Sequence, residues 1–292
     1  MAPTLRGPLL MVLAMAGFAI EDMLIKKLTI DLPVGQVLML FGLGGMLAFA
    51  LIARLRGHAL RNPAATSRPM LIRAVCEVTG RLGYTFAIAL TPLSTASAIL
   101  QATPLVVAAG AVVFFGETVG PRRWSAIAMG FVGVLLILRP GLDGFTPTSL
   151  FAVVGMLGFA GRDLATRAAP VSMPNALLGV YGFMMLIIAG AIALSYSGGA
   201  SLPSPQHWGW LGLATGFGVL AYSALTGAMR TGEIAVVAPF RYTRLVFAMV
   251  LGVTVFSETP DALTLIGSAI IVGSGLYTIF RSQRRNAAVR RA

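Results

Sequence analysis

The feature that most constrains this chain is that its two halves echo each other at a fixed offset. The stretch Ser94 to Thr118, STASAILQATPLVVAAGAVVFFGET, ends in a motif that returns in weaker form 141 residues later as Phe256, Ser257, Glu258 and Thr259. The same shift carries Gly17, Phe18, Ala19 and Asp22 onto Gly158, Phe159, Ala160 and Asp163, Pro33 onto Pro174 and Ala48 onto Ala189, all without a gap. A repeat of this length predicts two similar structural units, residues 1–140 and 141–292, and the chain must be read as one half written twice.

Composition fixes the solvent. Of 292 residues 57% are hydrophobic and only 11% charged, with a mean hydropathy of +0.85, whereas a soluble domain carries roughly 25% charged residues. The net charge of +12 gathers mainly between Arg54 and Arg73 and between Arg281 and Arg291. Because those runs flank apolar segments, they point to membrane orientation and not to nucleic acid. The single cysteine, Cys76, cannot close an internal disulfide and is expected to pack as a small apolar group.

Runs near the roughly 20 residues that cross a bilayer predict ten helices, at 8–28, 34–53, 70–90, 94–115 and 122–138, then 147–167, 175–196, 207–229, 233–256 and 261–280. The first run is followed by no Ala-x-Ala-like site before Glu21 and Asp22, so it reads as a retained helix. Pro33, Pro121, Pro147, Pro174 and Pro260 suit first helical turns, where a missing N–H costs nothing. The expected fold is all-α and integral to the membrane, since the runs lack barrel alternation. Counting Lys and Arg places both termini in the cytoplasm, with only Lys26, Lys27 and Arg139 in outer loops. Five helices per unit is an odd number, so the second unit is inverted relative to the first, an architecture of many secondary transporters.

With its ten helices, inverted five-plus-five duplication, Pro104 helix closing on Gly116-Glu117, weaker Ser257-Glu258 copy and Gly-rich helix after each, the chain resembles the drug/metabolite transporter superfamily. More narrowly it is similar to the EamA-type amino-acid exporters, including the aromatic amino-acid branch, from Leu9 to Phe280. The resemblance implies a bacterial-type inner-membrane transporter with a central cavity open alternately to each side. The second copy departs from the pattern in having Ser257 where the first has Gly116.

Charges inside a bilayer usually face a cavity or a partner, and here they are uneven. Helix 1 has Glu21 and Asp22, helix 3 Glu77 and Arg81, helix 6 Arg162 and Asp163, and helix 9 Arg241 and Arg244, whereas helices 2, 5, 7 and 10 have none in their interiors. The path is therefore expected between helices 1, 3, 4, 6, 8 and 9. Glu77, Arg81 and Tyr84 share one helix face by their spacing, and either they meet a substrate or the first two pair with each other. Arg241 and Arg244 flank Tyr242, and an arginine fork suits a carboxylate. Under the repeat Arg81 maps to Tyr222, Arg244 to Thr103, Glu77 to Gly218 and Glu21 to Arg162, mismatches that favour function, while Gln101 maps to Tyr242, polar in both copies. Pro104 and Pro239 interrupt helices 4 and 9. Glu117 and Glu258 are read as structural, with Thr259-Pro260 as the cap and first position of helix 10. Ala126, Gly130, Gly133, Gly212 and Gly216 are read as close-contact positions, and Trp124, Trp208 and Trp210 as an interfacial belt.

An intramembrane enzyme is disfavoured, because His58 and His207 lie in or beside loops, and there is no Gly-x-Ser-x-Gly elbow, His-Glu-x-x-His pair or Cys/His cluster. A channel would want a repeated filter loop. No phosphate-binding loop accompanies the helices, so the reading is a secondary transporter without cofactor or metal. Four interior acids against four interior arginines favour amino acids or similar small zwitterions over lipophilic or quaternary cations, and over nucleotide sugars. Arg81 or Arg244 is expected to meet the carboxylate and Glu77 or Asp22 the ammonium, with Gln101, Tyr84, Tyr222 and Tyr242 shaping the cavity. Proton coupling and facilitated export both fit these carboxylates, and both a monomer and a homodimer fit the small-residue helices.

Overall fold

The structure, a computed structural model, describes residues 3–116, 120–139, 146–168, 173–231 and 238–289. Among them the regular structure is helical throughout. The α-helices are α1 (Pro3–Asp31), α2 (Val34–Leu55), α3 (Arg68–Leu90), α4 (Leu93–Leu100), α5 (Thr103–Phe115) and α6 (Pro121–Leu138) in the first half. The second half has α7 (Leu150–Arg167), α8 (Asn175–Ser197), α9 (Pro205–Thr231), α10 (Thr243–Phe256) and α11 (Ala262–Val289). Short 3-10 turns at Pro63–Thr66, Pro147–Ser149 and Ala238–Tyr242 precede α3, α7 and α10. Glu117 and the predicted helical residues 233–237 lie outside the described residues.

Predicted helices 4 and 9 are each broken, and broken at the same repeat position. Pro104 has no N–H to give the Leu100 carbonyl, so α4 ends at Leu100, and the Thr103 hydroxyl donates to that carbonyl at 2.5 Å instead. In the second half the 3-10 turn passes into α10 at Tyr242, and the Thr243 hydroxyl donates to the Phe240 carbonyl at 2.7 Å. Gln101 and Tyr242, repeat mates, occupy the two breaks. The breaks also touch, since Gln101 Nε2 donates to the Arg241 carbonyl at 3.1 Å. The helices following each break also end alike, Gly116 and its mate Ser257 both taking left-handed backbone at φ 64° and 52°. Glycine does this without strain, and serine at some cost.

The packing carries the repeat more plainly than the sequence does. The most extensive helix pairings are α2 with α8, α3 with α7, α1 with α9 and α6 with α11. Under the repeat, the first and last pairs map onto themselves and the middle two exchange, as a two-fold relation requires. Each crossing is made by small residues, as expected where lipid removes the hydrophobic drive and close packing remains. A Cβ on Gly133 would stand 2.7 Å from the Gly267 carbonyl oxygen, and one on Gly267 the same distance from that of Gly133. At the α2–α8 crossing, Phe183 fills the space over Gly45 and packs against Phe41 and Phe49, with centroids 5.3 and 5.6 Å away. Gly212 and Gly216 are different: nothing lies within 4 Å of where their Cβ atoms would be, so they are open positions and not the helix contacts expected of them.

Among the described residues five helical spans are long and apolar enough to cross a membrane by themselves, 6–31, 34–55, 93–115, 147–166 and 175–196. α3 fails that measure because Arg73, Glu77 and Arg81 interrupt it, and their charges are taken up inside the bundle. The predicted cap of helix 10 also moves. Its first turn is capped by Asp261, whose Oδ1 accepts from the Thr264 amide at 2.8 Å, and not by Thr259.

Candidate functional site

The charged side chains that the sequence scatters over helices 1, 3, 6 and 9 come together where α1, α3, α7 and α10 meet the breaks. α3 has a polar face because Arg73, Glu77, Arg81 and Tyr84 recur at spacings of four, four and three, about one helical turn each. α1 brings Glu21 and Asp22, both only 1% exposed.

Two connected networks result. In the first, the Tyr84 hydroxyl donates to Asp22 Oδ2 at 3.0 Å and lies 3.1 Å from Ser97 Oγ of α4, while Arg244 reaches the same Asp22 oxygen at 2.6 Å through Nη2 and 3.2 Å through Nε. In the second, Arg81 pairs with Glu21 at 3.2 Å and stands 3.7 Å from Glu77, which also faces Arg73 at 3.6 Å and Arg162 at 3.5 Å. Arg162 binds its neighbour Asp163 at 2.8 Å, and Arg241 completes the chain 3.8 Å from Asp163. The repeat shows through here too. The mates Phe18 and Phe159 each lie beneath an arginine, Arg244 at 5.2 Å and Arg162 at 4.8 Å. The mates Asp22 and Asp163 each face an arginine of the Arg241–Arg244 turn.

Several groups are not fully used. Among the described residues, Glu21 Oε2, Asp22 Oδ1 and Arg81 Nε are buried without a hydrogen-bond partner, an arrangement that costs free energy in a dry interior unless something else binds there. Exposure also grades across the site, from 1% for Glu21 and Asp22 to 34% for the Arg241 side chain. Arg241 is thus the least enclosed of these cations and the most loosely paired.

Every candidate residue has a place. Glu21, Asp22, Glu77, Arg81, Tyr84, Arg241 and Arg244 join the networks. Gln101 lies against them but spends its amide on the Arg241 carbonyl. Tyr222 packs edge-on to Phe49 at 5.1 Å, close enough to Glu77, Arg162 and Asp163 to feel their charges. Tyr242 turns toward α11, where its hydroxyl is buried without a hydrogen bond against Gly275, and of the charged side chains its chain neighbour Arg241 is near it. Two members were missed. Arg73, within predicted helix 3 but counted only in the basic run and not among that helix's interior charges, is 4% exposed and donates through Nε to Thr166 at 3.0 Å as well as facing Glu77. Its spacing of four before Glu77 was the available signal. Ser97, a small hydroxyl in an apolar run, gave none.

A two-fold bundle with discontinuous helices meeting beside a buried charged cluster defines a membrane secondary transporter. The EamA-like transporter family matches residues 5–139 and again 146–280, and the chain belongs to that family. Among its relatives, the pseudopaline exporter CntI of Pseudomonas aeruginosa is 30% identical over 91% of this chain and 93% of its own. The riboflavin transporter of Rhizobium johnstonii is 28% identical over 96% and 92%, and the S-adenosylmethionine uptake transporter of Rickettsia felis 28% over 77% and 76%. A solved crystal structure covers 92% of this chain and 98% of its own at a TM-score of 0.60 and 18% identity, a likeness of fold. The protein is a multi-pass transporter of small molecules.

Proposed function

We propose that the protein exports amino acids or similar small zwitterions across a bacterial cytoplasmic membrane, exposing a cavity between units 1–140 and 141–292 to each side in turn, with both termini cytoplasmic. The observation that carries the substrate class is the contrast among the arginines. Arg81 and Arg244, the carboxylate receptors expected from the sequence, are held by Glu21 at 3.2 Å and Asp22 at 2.6 Å. Arg241, one turn before Arg244, is 3.8 Å from its carboxylate and a third exposed. A planar guanidinium in that condition can take both oxygens of an incoming carboxylate. The unpartnered oxygens of Asp22 and Glu21 supply acceptors for an ammonium. The described cluster holds five arginines, 73, 81, 162, 241 and 244, against four carboxylates, 21, 22, 77 and 163, which favours a cargo bearing a carboxylate over a bare cation.

The relatives' cargoes differ and include both uptake and export, so the substrate class rests on these side chains and the direction on the resemblance to exporters. A second reading, export of lipophilic or quaternary cations, draws on the same unpartnered acidic oxygens. Efflux from proteoliposomes loaded in turn with radiolabelled neutral amino acids, a choline-like cation and a nucleotide sugar separates the two. Saturable amino-acid efflux is expected, with KM raised about tenfold or more in Arg241→Gln, the loss of one charge-assisted bidentate contact. Movement of the cation with silence from every amino acid overturns the proposal.

A further inference from the structure

The end of the bundle formed by residues 31–34, 91–93 and 257–261 is fastened by side chains that the transport site does not use. Lys26, assigned from sequence to an outer loop, lies inside α1. Its ammonium donates to the Ile88 and Thr91 carbonyls at 2.9 and 2.6 Å, the acceptor end of α3, and stands 3.6 Å from Glu258. Glu258, just past α10, sends its carboxylate into the opposite kind of terminus. Its two oxygens accept from the Leu93 amide at 2.6 Å, the Ser94 amide at 3.0 Å and the Ser94 hydroxyl at 2.8 Å. Pro92 ahead of α4 makes no side-chain cap, so these first-turn amides are served by the other half of the molecule. A cation thus sits on helix carbonyls and an anion on helix amides, each where the terminus favours it. Both side chains are nearly enclosed, at 13% and 8% exposed.

The same end carries further ties between halves. Gln36 donates to the Ser201 carbonyl at 2.5 Å and accepts from its amide at 3.0 Å, and His207 lies 3.2 Å from Asp31. Enclosure here contrasts with Arg241, before the opposite end of α10, whose side chain is 34% exposed. α4 connects the two regions: its first turn holds Glu258 and, one turn on, Ser97 touches the Tyr84 hydroxyl that binds Asp22.

We infer that Lys26, Glu258 and the first turn of α4 form the latch that holds the transport pathway shut at this end, one helical turn from the Ser97–Tyr84–Asp22 contact of the site. The inference rests on alternating access but on no particular substrate, so its test uses none. In a Cys76→Ser background, which leaves no cysteine, Ser97→Cys serves as a buried reporter, and a separate Leu202→Cys chain, 97% exposed, identifies which membrane face this end occupies. Membrane-impermeant maleimide is applied to that face of sealed vesicles. Labelling of Ser97→Cys is expected to be slow with the latch intact, and about tenfold or more faster with Glu258→Gln, the loss of charge-assisted bonds. Lys26→Met is expected to act in the same direction, and it provides the test should Glu258→Gln fail to fold. Equal labelling rates with and without the latch substitution overturn the inference, whatever the efflux assays show.

Discussion

The α1–α9 and α3–α7 crossings are the same crossing twice, and they differ in one telling place. At the first, Gly17 lies against Ala221; at the second, their mates Gly158 and Gly80 lie against each other. One helical turn from these small residues, three or four positions along, the agreement ends. Arg162 faces Glu77 at 3.5 Å, whereas the mates of that pair are Glu21 and Gly218, where a carboxylate oxygen with no hydrogen-bond partner lies over a glycine. Where backbones touch, both halves need small residues; where side chains face the interior, the halves are free to diverge. The fold is therefore two-fold and its chemistry is not, a difference that the proposed recognition of an asymmetric small molecule would use.

The largest effect should come from attacking that difference directly. Glu77→Gln leaves Arg73, Arg81 and Arg162 around an uncharged amide, and removal of one partner from a buried ion-pair network costs about 3–5 kcal/mol. At the mated position, Gly218→Ala brings a methyl 3.0 Å from Glu21 Oε2 and should cost about 1 kcal/mol. Unfolding of the detergent-solubilised variants measures both, and equal costs would remove the chemical distinction between the crossings. A smaller contrast tests what they share. The Cβ of Gly158→Ala would overlap the Gly80 backbone, which cannot yield without moving a helix, while that of Gly17→Ala meets a methyl at 2.9 Å. We expect about 2–3 kcal/mol for the former and about 1 kcal/mol for the latter, read from the same unfolding curves.

These contrasts also explain what could be read in advance. Helix positions followed from apolar length, and the breaks from Pro104 and Pro239, because spanning and backbone satisfaction are local requirements. That Glu21, Asp22, Glu77, Arg81, Arg162, Asp163, Arg241 and Arg244 would face a cavity or a partner was legible because buried charges need partners. Which charge pairs with which was not, since pairing depends on how helices cross. Glu258 is the clearest case: its local sequence suggests a role in its own turn, yet its carboxylate caps α4, 164 residues earlier. Lys26 was misplaced and Arg73 overlooked for a related reason, because charge counts near span ends do not separate a solvated residue from one turned back onto helix carbonyls or a buried glutamate.

The mildest asymmetry lies at the caps of α6 and α11. Gly120 and Asp261 are repeat mates at the same position, each just before its helix. Only the aspartate offers an oxygen to the first turn, and it also pairs with Arg139, whose own mate is Phe280. The hydrogen bond from Arg139, and then the Thr264 amide, lower the Asp261 pKa from its ordinary 3.8 to about 2. A depressed folded pKa means that the stabilisation is complete above the unfolded value and is lost as pH falls from about 4 through about 2. Because the Asp261 side chain is 47% exposed, solvent screens the pair and its contribution should stay below about 1 kcal/mol. Thermal unfolding at pH 6 and pH 2.5 should therefore show Asp261→Asn losing slightly less stability on acidification than the parent chain. Gly120→Asp, which installs the missing cap oxygen without an arginine opposite, should gain a few tenths of a kcal/mol at pH 6. Identical acid sensitivity in the parent and Asp261→Asn chains would show that the ion pair adds nothing to the cap, leaving the two helix starts equivalent in everything but one hydrogen bond.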